Sequence, residues 1–102
     1  MSYTKIAAAK RKEQIILIAV QLAAKSTDYT KITRHDIASV GNFSVNLITH
    51  YFTMAKLQRE IIRRALREEI VEILAQGLVR RDKRVMKMPE PLKSKVATYL
   101  TR

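Results

Sequence analysis

The stretch from Thr33 to Phe52, TRHDIASVGNFSVNLITHYF, decides the fold of this chain of 102 residues. It opens on a capping box, in which the Thr33 hydroxyl and the Asp36 carboxylate are spaced to accept amide hydrogen bonds at a helix start. The pair Gly41-Asn42 follows one short helix later, and both residue types tolerate the left-handed backbone of a tight turn. Ser44 is suited to cap a second short helix. This order of helix, turn and helix predicts a helix-turn-helix.

The second helix of this pair has a small apolar face. Ile48 and Phe52 are spaced to point inward, whereas four other side chains are predicted to remain outside: Val45, Asn46, Thr49 and His50. A helix with so little to bury is typically there to present its exposed side. An ordinary corner between two packed helices would show a similar pattern.

Helical periodicity continues on both sides of this stretch. Residues 1–8 are expected to form a basic N-terminal arm, and a first helix is expected from about Ala9, with Leu17 and Ile18 widening its apolar stripe. A long fourth helix is predicted from about Thr53 to Arg80. The predicted fold class is all-α: a helical domain over residues 9–80, with its helix-turn-helix at 33–52 and its long fourth helix, then a basic tail or short helix over residues 81–102.

The second half of the predicted fourth helix carries apolar residues without a visible cover. A helix of about 26 residues spans roughly 39 Å, which is more than the first three helices can reach. The residues concerned are Ile70, Ile73, Leu74 and Leu78. A second copy of the chain would cover them, so we expect a homodimer closed by this stripe. Alternatively, residues 92–100 fold back after Pro89 and Pro91, and Val96 and Leu100 provide the cover.

The net charge of +11 lies near the two ends of the chain. Residues 1–31 carry +4 and residues 80–102 carry +6, while residues 32–53 are neutral. Such an excess favours a polyanionic partner, with nucleic acid ahead of an anionic membrane. Basic ends that merely keep a small protein in solution are the alternative interpretation.

Several classes of function find no support in the residues. The chain has no cysteine, so it has no disulfide, thiolate metal site or cysteine nucleophile. It has no P-loop, HExxH motif or serine elbow, and its two histidines fall on different predicted helices. No apolar run approaches the roughly 18 residues that cross a bilayer. We therefore expect a cytoplasmic protein that is not an enzyme and binds no metal or cofactor.

The stretch from Ile16 to Phe52 resembles the DNA-binding domain of the TetR family of transcriptional regulators. The residues that carry the resemblance are Ile16-Leu17, Ala19 and Ala24 in the first helix, Tyr29 in the following loop, Thr33 to Ala38 in the second helix, and Phe43-Ser44, Ile48 and Phe52 in the turn and recognition helix. The chain departs from the family pattern at four places. Asp28 replaces a glycine, Gly41-Asn42 replaces Ala-Gly, and Thr49 replaces a phosphate-binding tyrosine. Ala55 stands where the family has a lysine, and Lys56 follows one place later.

The resemblance implies a recognition helix in the major groove, with helix starts and basic segments on the phosphates. Asn46 is the expected base-reading residue, because asparagine pairs bidentately with adenine, and Val45 or Leu47 would touch a thymine methyl. Thr33 and Ser44 are expected to bind phosphate at helix starts. The other expected DNA contacts are Lys10, Arg11, Lys12, Arg34, His35, Thr49, His50, Tyr51 and Lys56.

The expected function is sequence-specific binding of double-stranded DNA by a TetR-like transcriptional regulator, of the kind that phages or plasmids encode. About fifty residues follow Phe52, which is too few for the large ligand-binding domain that the family normally adds. Induction by a small molecule is therefore not expected. The alternative is a small helical adaptor that binds a host protein, which would lack salt-sensitive binding to duplex DNA.

Overall fold

The computed structural model describes the backbone of residues 3–102 and the side chains of residues 7–102. In this range the chain forms helices and no strand, which confirms the all-α class. The helices are α1 (Tyr3–Lys25), α2 (Arg34–Gly41), α3 (Val45–Tyr51), α4 (Met54–Glu68), α5 (Val71–Arg80), α6 (Lys83–Met86) and α7 (Glu90–Leu100), with one turn of 3₁₀-helix at Tyr29–Lys31. None of these helices is both long and apolar enough to cross a membrane.

Helix α1 begins earlier than the sequence suggests. Its backbone is helical from Tyr3, whereas we expected a separate arm over residues 1–8; residues 1 and 2 of that arm lie outside the described residues. The run Ala7-Ala8-Ala9 explains the extension, because alanine is the strongest helix former. The apolar stripe is also narrower than predicted, since Leu17 remains 44% exposed. The buried residues of α1 are Ile15, Ile16, Ala19, Val20 and Ala23.

The predicted capping at α2 and α3 is confirmed. The Asp36 amide donates to Thr33 Oγ1 at 3.1 Å, and the Thr33 amide donates to Asp36 Oδ2 at 3.0 Å. Asn42 ends α2 in the left-handed conformation, with φ 55°. Gly41 is needed for space rather than for a left-handed backbone. A β-carbon on Gly41 would lie 2.7 Å from Ile18 Cδ1, so the absence of a side chain lets the turn pack closely against α1.

The prediction of a single long fourth helix is wrong. Helix α4 ends at Glu68, Glu69 is left-handed with φ 54°, and α5 starts one residue after Ile70. A left-handed residue other than glycine costs about 1–2 kcal/mol. Burying one large aliphatic side chain stabilises by about 1.5–3 kcal/mol. The break is favourable because it turns Ile73 and Leu74, both 0% exposed, into the core.

The apolar stripe of α5 is covered by the chain itself. Helix α7 packs against α5 and buries Leu92 and Val96 there. This confirms the fold-back alternative for Val96, whereas Leu100 stays 44% exposed. The prediction of an exposed dimer surface along Ile70, Ile73, Leu74 and Leu78 is therefore wrong. Ile73 and Leu74 are inaccessible to a partner, and the other two residues are half-buried.

Polar contacts attach the end of α1 and the 3₁₀ turn to the C-terminal helices. The Tyr29 ring is fully buried, and its hydroxyl donates to Asp82 Oδ2 at 2.5 Å. Arg84 also donates to both oxygens of Asp82, at 3.0 and 2.7 Å. The Gln76 amide donates to the carbonyls of Ala23 and Ser26 at 2.7 and 2.8 Å. The segment around α6 therefore lies against the loop that precedes α2.

Gly77 is expected to stabilise the fold although glycine weakens a helix. A β-carbon at this position would lie 2.8 Å from Val85 Cβ, and valine has little freedom to move aside. Gly77→Ala should therefore lower the free energy of unfolding by about 1–3 kcal/mol, although alanine favours the helix itself. Urea denaturation measures this. The double variant Gly77→Ala, Val85→Ala should recover part of the loss caused by Gly77→Ala, and equal losses in the two would contradict the steric explanation.

The Asp82 contacts should make stability depend on pH. Hydrogen bonds from Arg84, and then from Tyr29, hold the pKa of Asp82 well below its usual value of 3.8. The carboxylate therefore contributes stability above that usual pKa and loses its contribution as the pH falls below it. Asp82→Asn should be less stable than the parent at pH 7, and the difference should shrink below about pH 4. Thermal denaturation against pH measures the difference; parallel curves would contradict it.

Candidate nucleic-acid interface

Helix α3 presents three polar side chains on one exposed face. Asn46, Thr49 and His50 are all exposed, and their spacing of three and four residues places them together. The opposite side is held by Ile48, which is 0% exposed, and by Phe52 just after the helix. The helix is therefore fixed by two apolar residues while this polar face remains in water.

Two of the predicted base-contacting residues are less exposed than expected. Val45 was predicted to remain outside, but it is half-buried and packs against the core beside Met54. Its position at the first residue of α3 turns it toward the start of α4 rather than toward solvent. Leu47 is half-buried as well. Asn46, between them, is the exposed residue of the three.

The side chains near the end of α3 are partly engaged with their neighbours. The Thr49 hydroxyl donates to the Val45 carbonyl at 3.1 Å, so the proton that a phosphate would accept is used within the helix. The rings of His50 and Tyr51 meet edge to face, with centroids 5.0 Å apart. His50 keeps its exposed position, whereas Tyr51 is half-buried.

Basic residues of α1 contact both ends of α3. The Arg11 guanidinium lies 5.0 Å from the centre of the Phe43 ring, which immediately precedes the cap of α3. The Lys12 ammonium lies 5.9 Å from the ring of Tyr51, the last residue of α3. Both distances suit cation–π attraction. Lys10, one residue before them, is exposed. The structure thus brings Arg11 and Lys12 of the predicted basic cluster to the two ends of α3.

Three helix starts differ in how well they suit an anion. At α2 the Thr33 amide is already taken by Asp36, and this backbone hydrogen bond lowers the pKa of the carboxylate, which stays ionised. A negative charge there opposes a phosphate. Ser44 and Thr53 each accept a hydrogen bond from the amide three residues on, at 3.1 Å, and neither helix has an acidic residue in its first turn. Of the two predicted phosphate-binding caps, Ser44 is therefore better placed than Thr33.

A cleft of about 510 Å³ lies where the 3₁₀ turn meets the starts of α2, α3 and α4. Its apolar floor includes Val45 and Met54, and three cationic or titratable side chains line it: Lys31, Arg34 and His35. The Nε atom of Arg34 is buried and has no hydrogen-bond partner among the described residues. Our site prediction missed Lys31, because nothing in the local sequence shows that the loop approaches α3 and α4.

Negative charge is scarce around this interface. Asp36 is the single acidic residue between Thr33 and Lys56, and the Lys56 side chain is exposed on the first turn of α4. On α1, Glu13 accepts a hydrogen bond from Arg64 Nη2 at 2.8 Å, which lowers the pKa of the glutamate. Between Thr33 and Lys56, therefore, only Asp36 carries a negative charge, and Glu13 on α1 is already paired with Arg64.

No protein-family model, curated protein or solved structure matches this chain. Its function must therefore be inferred from the arrangement of its own residues.

Removing a helix-capping side chain should destabilise the protein more than removing a side chain of the exposed face of α3. Ser44→Ala removes the hydroxyl that caps α3 and should lower the free energy of unfolding by about 0.5–2 kcal/mol. Asn46→Ala alters an exposed side chain and should change it by less than about 0.5 kcal/mol. Urea denaturation of both variants measures this. A loss at Asn46 as large as that at Ser44 would mean that Asn46 supports the fold rather than a partner.

Proposed function

We propose that this chain binds double-stranded DNA in a sequence-specific manner, as a transcriptional regulator of TetR-like type. Helices α2 and α3 act as the helix-turn-helix, and α3 is the recognition helix. The observation that carries the proposal is the exposed polar face of α3, which Ile48 anchors from behind, with Arg11 and Lys12 of α1 lying against the rings that flank the helix, Phe43 and Tyr51.

The dimensions of α3 suit the major groove, which is about 12 Å wide and admits one α-helix. Asn46 occupies the second residue of α3, near the end that recognition helices direct at base edges. Its amide offers the donor and acceptor pair that matches adenine. Thr49 and His50 continue the same face one turn later and would contact the bases or backbone beyond.

Phosphate contacts are assigned to the cations and hydroxyls around this face. Ser44 keeps its hydroxyl proton for a phosphate while its oxygen caps α3. Lys12 lies beside Tyr51 at the end of α3, Lys56 lies on the first turn of α4, and Arg34 and His35 lie on the first turn of α2. Such contacts set affinity and orientation, whereas base contacts set sequence preference.

The proposal includes a homodimer that binds a pseudo-palindromic DNA site, because helix-turn-helix proteins commonly bind two half-sites. The stripe of α5 is buried, so pairing needs another surface. Val79 and Leu100, which are 71% and 44% exposed, line one shallow hollow between α5 and α7 and are the candidates. Sedimentation of the free protein and of its DNA complex measures the number of copies.

Binding experiments test the recognition face directly. After selection of bound sequences from random duplex DNA, Asn46→Ala should lose preference at one or two base positions, at a cost of about 1–3 kcal/mol on the best site. Ser44→Asp keeps a good helix cap but places a negative charge at the expected phosphate. It should lower affinity for all sequences alike without changing the preference.

Ser94→Asp, an exposed position on α7, is the matched control for the added charge. It should bind nearly as the parent does. An Asn46→Ala variant with the parental base preference would show that α3 does not read bases. If the parent itself binds no duplex DNA at low salt, the adaptor alternative takes the place of this proposal.

A further inference from the structure

A strongly basic segment lies outside the interface described above. Residues 80–87, RRDKRVMK, contain five basic residues and one acidic residue. Val85 is fully buried against α5, so this segment is fixed to the body of the protein. Lys83 stands two positions before Val85 in α6, which at about 100° per residue places it on the opposite, outward side, and Lys87 follows directly after the end of α6. Both are exposed.

The segment is held beside the loop that leads into α2. Asp82 accepts the hydrogen bond from Tyr29, and Arg80 Nη1 lies 3.0 Å from Asp28 Oδ2. Lys31, exposed, follows two residues after Tyr29. The exposed cations Lys31, Arg80, Lys83 and Lys87 are named here the basic ridge.

The basic ridge begins close to the proposed DNA interface. Thr33 is four residues after Tyr29, and four residues span at most about 14 Å. One strand of DNA carries a phosphate every 3.4 Å along the helix axis, so this distance covers about four phosphates of one strand. Lys31 lies within it and also lines the cleft with Arg34 and His35. The cations thus continue from the start of α2 toward α6.

The charges of the ridge are only partly neutralised by the chain. Asp28 pairs with Arg80 of the ridge, and the nearby Asp82 is taken by Arg84, which is not part of the ridge. Lys83 and Lys87 form no ion pair with residues 7–102. Two exposed lysines without a counter-charge suit a phosphate backbone.

We propose that the basic ridge is a second DNA-contacting surface, which binds phosphates next to those held by α2 and α3 and adds affinity without reading sequence. This inference rests on the proposed function, because it extends the same complex along the duplex. The ridge compensates for the small size of the recognition helix by adding phosphate contacts on one side of it.

The test compares two variants of the full chain that lose the same charge. Lys83→Gln, Lys87→Gln removes two of the three ridge lysines that form no ion pair with residues 7–102. Lys93→Gln, Lys95→Gln removes two lysines of α7, which packs on α5 and pairs Lys95 with Glu69 at 2.9 Å. Equilibrium binding to a selected duplex and to a random duplex is measured at several salt concentrations, and circular dichroism checks that both variants fold.

Each phosphate contact contributes about 0.9 to the slope of log K against log salt. The ridge variant should therefore lose about 1.8 from the steepness of that slope. It should weaken on both duplexes by the same factor, while the α7 variant keeps the parental slope. An unchanged slope in the ridge variant, or an equal loss in both variants, overturns the ridge while leaving the proposed function standing. Absence of duplex binding by the parent removes both.

Discussion

The rest of the structure depends on the burial of two apolar side chains of α5, Ile73 and Leu74. Other helices of the same chain cover them. A straight helix from Thr53 to Arg80 would have carried both side chains away from the first three helices. The left-handed residue Glu69 bends the chain instead, and α7 returns to cover α5. The strain at one residue is offset by the burial of two large aliphatic side chains. The positions of α6 and α7 follow from this one requirement.

The packing of the C-terminal helices also determines where the basic residues after α5 lie. Gly77 lets Val85 approach α5, and Val85 in turn holds the segment that contains Asp82 and Lys83. Tyr29 then connects this segment to the loop before α2 through Asp82. Cations that follow the start of α2 by about fifty residues in sequence thereby lie near the loop that precedes α2. A partner with an extended array of negative charges would meet both at once.

Asp28 connects the 3₁₀ turn to the C-terminal part of the chain. Its carboxylate accepts hydrogen bonds from the amide and hydroxyl of Thr30, at 3.0 and 2.6 Å, and so caps the 3₁₀ turn. It also pairs with Arg80. A glycine at this position would offer neither contact. The aspartate suits a chain whose C-terminal segment lies against this loop.

The sequence by itself determined the local elements: the capping box of α2, the left-handed Asn42, the Ser44 cap and the buried positions Ile48 and Phe52. These depend on hydrogen bonds and spacings within a few residues, so they can be read from the chain. It also indicated the exposed Asn46 and the cations of α1. Only the tertiary structure decided the break at Glu69, the cover of Ile73 by α7, the approach of Arg11 to Phe43 and of Lys31 to the cleft. Those outcomes depend on which distant apolar surfaces are available to one another, and helical periodicity is the same whether a stripe meets its own chain or a second copy.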